Sequence, residues 1–230
     1  MIGNRKNWPQ MAMPPHNMTM TVTGAGMLWV GWFGFNAGSA LAADENAAMA
    51  LVATHLSAAM GSLAWMVCEW RKFGKPSVLG IVTGMVAGLG TITPASGFVS
   101  PAAAIFIGLC AGFVCFNATM FVKRTLKIDD SLDVFPVHGV GGILGSFLVG
   151  IFCAGNLGAF SGYGFGADNT SILEQLGAQM TGIVATIIYT AIVTALILKV
   201  IDVVIGLRVD EEQESIGLDL SLHEEKGYDL

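Results

Sequence analysis

One imidazole, His138, lies inside a long apolar and glycine-rich stretch, DVFPVHGVGGILGSFLVGIFCAG, which runs from Asp133 to Gly155. An unpartnered polar group in hydrocarbon is costly, so such a ring either bonds a neighbouring backbone carbonyl or has a functional role. Glycines follow it at once, which lets another group approach closely. Asp129 and Asp130 precede the stretch and are expected to cap its helix, whereas Asp133 at its edge fits either a cap or a functional role.

A second set of candidates lies in GWFGFNAGSA, where Trp32, Phe35 and Ser39 are three and four residues apart. This spacing puts the three side chains on one helix face. Aromatic faces attract cations, and a hydroxyl accepts a hydrogen bond from an N–H donor. The stripe therefore fits the wall of a narrow cation path, although such stripes more often serve helix packing.

The remaining polar signals point away from catalysis. His55 has small and hydroxylated neighbours, and we interpret it as a hydrogen-bonded packing histidine. The four cysteines are scattered without a CxxC pair, so they predict neither a disulfide framework nor a metal site. The sequence contains no P-loop, HExxH or GxSxG motif and no nucleic-acid-binding signature. We therefore expect no enzyme activity, no cofactor and no nucleic-acid partner.

The elements that must position these residues are membrane helices. The chain is 53% hydrophobic and 12% charged, with a mean hydropathy of +0.66, whereas soluble domains carry about a quarter charged residues. The pattern predicts an all-α fold, a polytopic integral membrane helix bundle with six transmembrane helices. The predicted spans cover about residues 18–43, 47–70, 77–93, 101–122, 134–154 and 172–205, the third being short and the sixth long enough to tilt or project.

The charges predict the orientation of the bundle. All 11 Lys and Arg residues fall on one side of the six spans, and the connections LAADEN, TPASGFVS and GNLGAFSGYGFGADNTS on the other side contain none. By the positive-inside rule, segment 1–17 and tail 207–230 are cytoplasmic, and domain 18–206 crosses the cell (plasma or inner) membrane repeatedly. The tail is acidic and too hydrophilic to bury alone, so we expect it to order only against a partner surface.

Glycines recur at the spacing that lets membrane helices approach each other closely. We expect these positions to serve helix packing within the bundle rather than a special dimer contact. The pairs and triplets are Gly34 and Gly38, Gly80, Gly84 and Gly88, Gly108 and Gly112, and Gly141 and Gly145.

Five motifs, in this order and spacing, resemble the ammonium transporter (Amt/Mep/Rh) superfamily on its Amt side. They are GWFGFNAGSA, EWRKFGKPSVLG, GLGTITPASGFVSP, KIDDSLDVFPVHGVGGILG and VIGLRVDEEQESIGLDLSLHEE. The resemblance covers essentially the whole chain, but the family has eleven spans, and this chain is similar to its C-terminal part, spans six to eleven plus the cytoplasmic tail. It implies a homotrimer with a pore in each protomer, built from two inverted five-helix repeats and a long last helix. This chain would supply one repeat and that helix.

The resemblance also implies roles for individual residues. His138 resembles the second of two pore histidines, Phe35 the second ring of the outer gate, Ser39 the outer recruitment hydroxyl, Trp32 a pore-wall tryptophan and Asp133 the aspartate at the cytoplasmic pore end. The GLRV…EEQE segment resembles the tail that contacts a neighbouring protomer and a PII-type signalling protein. The first pore histidine, the first gate phenylalanine, the recruitment tryptophan and a structural aspartate belong to the family's other half.

Two functions follow as expectations. The first is transport of ammonium or ammonia through a hydrophobic pore within each protomer, with this chain forming the C-terminal half of the pore. The alternative is a truncated, non-conducting regulatory or assembly partner of full-length ammonium transporters. Such a partner would need the packing glycines and the tail but no pore residues, so the presence of the aromatic stripe and His138 favours transport.

Overall fold

The computed structural model describes residues 1–11, 13–166 and 168–228, and helices are its main regular elements, with no strand in this part of the chain. The all-α prediction is therefore confirmed. Two π-helical segments, Phe121–Thr125 and Phe135–Val140, continue α4 and lead into α5. The helices are α1 (Met18–Gly38), α2 (Glu45–Phe73), α3 (Val78–Ile92), α4 (Pro101–Met120), α5 (Gly141–Phe152), α6 (Ile172–Val204), α7 (Glu211–Ile216) and α8 (Leu218–His223).

Polar caps set the starts of the long helices. In each cap a side-chain oxygen accepts a hydrogen bond from a backbone N–H of the first turn, which has no partner within the helix. α2 ends at Gly74, whose left-handed φ of 80° a glycine adopts without strain. α1 ends at Gly38, earlier than the predicted boundary at residue 43. The capping residues are Asn17 for α1, Asp44 for α2, Ser77 for α3, Ser100 for α4 and Ser171 for α6.

The centre of the bundle is α2, which lies between α3 and α4. A side chain at Gly84 would overlap the backbone of Gly61, and one at Gly88 would overlap the backbone of Ser57. The Ser57 hydroxyl donates to the Gly88 carbonyl at 2.8 Å. Gly108 of α4 meets the same stretch of α2. Glycines thus bring these three backbones into contact, as predicted for α3 and α4.

The glycine prediction fails for α1. Ideal side chains at Gly34 and Gly38 would meet nothing within 4 Å among the described residues. Only Ala25 and Asn36 of this helix are buried. α1 is instead joined to α2 by a hydrogen bond from the Asn36 amide to the Thr54 hydroxyl, at 2.9 Å. Most of the α1 surface is therefore open in this chain.

Four helices are long and apolar enough to cross a membrane in the part of the chain that the structure describes. They are Glu45–Phe73, Pro101–Thr125, Phe135–Phe152 and Ile172–Val204; Val78–Ile92 is apolar but shorter. The predicted count of six therefore stays a prediction. The 33 residues of α6 span about 50 Å, well beyond the hydrocarbon core of about 30 Å, which agrees with the expected length of the last helix.

The tail differs from its prediction, because it forms α7 and α8 against the first residues of the same chain. The Lys6 backbone N–H donates to Glu214 at 2.7 Å, and the Arg208 guanidinium donates to the other carboxylate oxygen of Glu214 at 2.6 Å. The two donors hold the pKa of Glu214 below its usual value. The N-terminal segment of the same chain thus contacts the tail, for which the sequence predicted order only against a separate partner.

Candidate functional site

The candidate site is built around His138, which lies in the second π-helical segment, Phe135–Val140. Such segments depart from α-helical bonding and often occur at functional sites. The Trp32 indole of α1 stacks on the imidazole, with ring centroids 6.5 Å apart and an angle of 16° between the planes. The indole N–H donates to the Thr93 hydroxyl at 2.8 Å, which fixes the indole plane. The structure therefore brings together two of the predicted site residues.

Phe35 extends this array along α1. Its ring meets the edge of Trp32 at 6.0 Å and 70°, and its side chain is 61% exposed. Ser39 lies just beyond the end of α1, and its hydroxyl donates to the Phe35 carbonyl at 2.6 Å. This bond uses the serine proton, so the oxygen keeps its lone pairs as acceptors. The Ser39 oxygen, the rings of Phe35 and Trp32 and the His138 imidazole thus follow one another in this order.

An open cleft of about 940 Å³ lies beside His138. One side of the cleft is formed by α3 and α5, and the other side by α6. His138 is exposed in this chain. The cleft wall is largely apolar, but α6 contributes a row of hydroxyls. The polar residues among those that line it are Thr93, His138, Ser146, Gln179, Thr186, Thr190 and Thr194.

The glycines after His138 have different roles. A side chain at Gly141 would come within 2.8 Å of the Thr91 hydroxyl, so this glycine lets α5 pack against α3. Gly142 faces open space and lines the cleft. The close approach predicted for this stretch is therefore made by α3, which contacts Gly141. The surface that carries Gly142 and His138 stays open to the cleft.

Of the three aspartates before His138, Asp130 is the cap, since its carboxylate accepts the backbone N–H groups of Val134 and Phe135 at 2.9 and 2.8 Å. The capping prediction for Asp129 is wrong. Its carboxylate instead receives two hydrogen bonds from the Arg5 guanidinium, at 2.7 and 2.9 Å, which lower its pKa. A cation of the N-terminal segment outcompetes the helix start for this carboxylate.

Asp133 is neither a cap nor a free carboxylate. Its backbone is left-handed, with φ of 56°, and its Oδ1 atom lies 2.7 Å from Nζ of Lys123 in the first π-helical segment. Burial raises the pKa of Asp133, and the Lys123 ammonium opposes that rise. The structure thus places Asp133 five residues before His138, just outside the π-helical segment and in an ion pair with Lys123.

Sequence reasoning missed Thr93 and Lys123, the two residues that hold Trp32 and Asp133. Thr93 precedes a proline in TITPASG, and the sequence pattern marks Lys123 only as one of the cations that predict the orientation. His55 stacks against Trp29, with ring centroids 5.2 Å apart and 30° between the planes, which agrees with a packing role. The hydrogen bond expected for His55 stays a prediction. His55 does not line the cleft beside His138.

Comparison with known proteins identifies the family. The model of the Ammonium Transporter Family matches residues 1–228. The ammonium transporter of Aquifex aeolicus is 47% identical over 229 residues, which are 100% of this chain and 52% of that protein. Ammonium transporter Amt1 of Archaeoglobus fulgidus is 46% identical over 99% of this chain and 56% of its own length. The chain therefore spans about half the length of the curated relatives it matches.

Solved structures show the same likeness in three dimensions. A structure described as a sensor Amt protein superposes with a TM-score of 0.85 and 31% identity, over 96% of this chain and 54% of that one. The crystal structure of Saccharomyces cerevisiae Mep2 gives a TM-score of 0.74 and 39% identity, over 84% of this chain and 45% of the other. Sequence and fold agree over nearly the whole chain, which belongs to the ammonium transporter family.

Proposed function

We propose that this chain takes part in the transport of ammonium or ammonia across a membrane, and that it forms one wall of a pore. The stacked pair of Trp32 and His138 carries this proposal. It places an imidazole, with one donor and one acceptor nitrogen, directly beside an aromatic face within a bundle of apolar helices. The family of the chain and the names of its relatives support the same substrate.

The order of the side chains supports a stepwise passage. The Ser39 oxygen and the faces of Phe35 and Trp32 attract a small cation with N–H donors. A bare cation cannot cross apolar surroundings at low cost, so the path beyond Trp32 favours neutral ammonia. His138 then offers hydrogen bonds in both directions, because an imidazole carries both a donor and an acceptor nitrogen. The opposite wall would come from the part of the relatives that this chain does not cover.

A chimera tests the proposal. The part of the Aquifex aeolicus transporter outside the matched region is joined to this chain, and uptake of labelled methylammonium is measured in proteoliposomes. We expect saturable uptake by the chimera and none by this chain alone, because the cleft beside His138 is open. Absence of uptake in a folded chimera contradicts the proposal.

We also propose a homotrimer with cytoplasmic termini and a tail that binds a PII-type protein. The exposed faces of α1 and α6 leave apolar surface for a neighbouring protomer, and the tail lies at the surface beside the N-terminal segment. Deleting residues 209–230 should leave insertion intact and abolish binding of the PII-type protein. The alternative of a non-conducting regulatory subunit predicts that the chain alters the flux of a full-length relative while its own chimera stays inactive.

A further inference from the structure

An ion pair links the first π-helical segment to the start of the second, which carries His138. Lys123 belongs to the first segment, and Asp133 lies just before the second. Their charged atoms are 2.7 Å apart, and the side chains are 31% and 16% exposed, respectively. The Oδ1 atom of Asp133 is fully enclosed, and apart from this ion pair it has no hydrogen-bonding partner among the described residues. One cation therefore provides the charge that compensates a largely buried carboxylate oxygen.

The chemistry of this cation resembles that of the proposed substrate. The end of a lysine side chain is an alkylammonium group, a compact positive charge with N–H donors. A distance of 2.7 Å is typical of a charge-assisted hydrogen bond. The Lys123 ammonium thus occupies the position on Asp133 that a free ammonium ion would take.

A carboxylate in this position would hold a passing cation if nothing else held it. Removing one partner of a buried ion pair leaves an uncompensated charge, which is strongly unfavourable. Conduction, however, requires binding that is weak enough for the ion to leave. We propose that Lys123 is a built-in competitor, which occupies the Asp133 carboxylate and prevents it from retaining the transported ammonium ion. This inference rests on the proposed transport function.

The other charged groups near Asp133 are already engaged. Asp130 adds negative charge but accepts two backbone N–H groups of the helix start. Asp129 is paired with Arg5. Among the described residues, Lys123 is thus the one cation that pairs with Asp133, and its removal frees a single, defined carboxylate.

An infrared titration of the chain in lipid nanodiscs tests the inference. The carboxyl absorption of Asp133, assigned by its loss in Asp133→Asn, is followed against pH in methylammonium chloride or in choline chloride, whose cation has no N–H donor. We expect the same midpoint in both salts for the wild type and for Lys123→Arg. In Lys123→Met, methylammonium should stabilise the carboxylate and lower its proton affinity by about tenfold, a shift of one pKa unit.

Three results would overturn the inference. The first is an equal response to methylammonium in the wild type and in Lys123→Met. The second is no response in either neutral variant, Lys123→Met or Lys123→Gln. The third is loss of helix content in both neutral variants, because the ion pair is then a structural requirement. The matched control is Lys127→Met. It removes a nearby cation that pairs with no carboxylate among the described residues, so its Asp133 carboxyl should titrate as in the wild type.

The titration measures cation binding and requires no flux, so it separates this inference from the transport proposal. If the chimera takes up methylammonium but the carboxyl titration of Lys123→Met does not respond to it, the transport proposal stands and the competitor role of Lys123 is excluded. If the titration of Lys123→Met responds to methylammonium but the chimera shows no uptake, the transport proposal is contradicted. Lys123 is then still the group that blocks a cation-binding carboxylate.

Discussion

The indole of Trp32 and the imidazole of His138 lie nearly parallel, 16° apart in plane and 6.5 Å apart in centroid, although they belong to different helical segments. The hydrogen bond from Trp32 to Thr93 holds the indole from a third segment. Three separate parts of the chain thus converge at His138. The position of the imidazole therefore depends on the packing of the whole bundle, and changes at each contact should be measurable.

Replacing His138 should separate assembly from transport. In the chimera, His138→Gln removes a titratable ring but keeps hydrogen-bonding groups, and we expect assembly close to the wild type because Gly141 still packs on α3. Methylammonium flux should fall about five- to twelvefold, equivalent to one hydrogen bond of about 1 to 1.5 kcal/mol. His138→Asp should admit potassium, because a carboxylate attracts the bare cation. Flux and oligomer size on a sizing column are the measurements.

His55→Gln is the control for that experiment, since it removes the other imidazole of the membrane segments, which stacks on Trp29 outside the cleft. It should leave flux and selectivity unchanged. Wild-type flux and selectivity in both His138 variants, or loss of assembly in both, would return His138 to a packing role.

Removing the indole N–H of Trp32 should lower the free energy of unfolding. Trp32→Phe deletes the donor to Thr93, whose own hydroxyl still donates to the Leu89 carbonyl. We expect a loss of about 1 kcal/mol in the free energy of unfolding, measured by helix content against denaturant. Trp70→Phe is the control, because Trp70 is 57% exposed at the end of α2. Equal stability of the two variants would contradict the assigned bond.

The glycine contacts give opposite predictions for two helices. Gly88→Ala would place Cβ 2.9 Å from the Cα of Ala58, so α2 and α3 must separate, and we expect a loss of about 1 to 3 kcal/mol. Gly34→Ala meets nothing within 4 Å and should be neutral or stabilise α1 by up to about 1 kcal/mol through helix propensity. Unfolding of this chain in mixed micelles measures both. A more stable Gly88→Ala would show that the backbones are not in contact.

Docking of the N-terminal segment should depend on pH. Hydrogen bonds from Arg5 lower the pKa of Asp129 in the folded chain. The stabilisation is therefore present above the unfolded value, about 3.9, and is lost as the pH falls through the lower folded value. A spin label at Met11→Cys should be immobilised at pH 7 and mobile in strong acid. Arg5→Ala should make the label mobile at pH 7, and Arg5→Lys should do so only in part. If the mobility of the label changes neither with pH nor in Arg5→Ala, the pairing of Arg5 with Asp129 is contradicted.

The proposed orientation predicts one-sided labelling. A membrane-impermeant maleimide should modify Leu41→Cys from outside intact cells, because Leu41 is 94% exposed in the connection between α1 and α2. Arg124→Cys should react only after lysis. The wild-type chain, whose four cysteines lie in the membrane segments, gives the background. The reverse pattern of labelling would invert the topology.

The sequence by itself determined the helices and the family. Long apolar runs indicated a helical membrane protein, and polar residues cap the starts of α1 to α4 and α6, because these are local properties of the chain. The motifs around Trp32, Phe35, Ser39 and His138 indicated the ammonium transporter family, and the comparisons confirmed that family. Helical spacing also placed the α1 residues on a common face, because the helical period is fixed.

Only the tertiary structure decided which groups meet. The stacking of Trp32 on His138, the bond to Thr93 and the pairing of Lys123 with Asp133 join residues from different helical segments, so no local pattern encodes them. Asp129 illustrates the same limit. Its position fits a helix cap, yet the fold brings Arg5 to it, and a bidentate guanidinium is a stronger partner than a helix end. Local chemistry limits what a side chain can bind, and packing selects the partner it has.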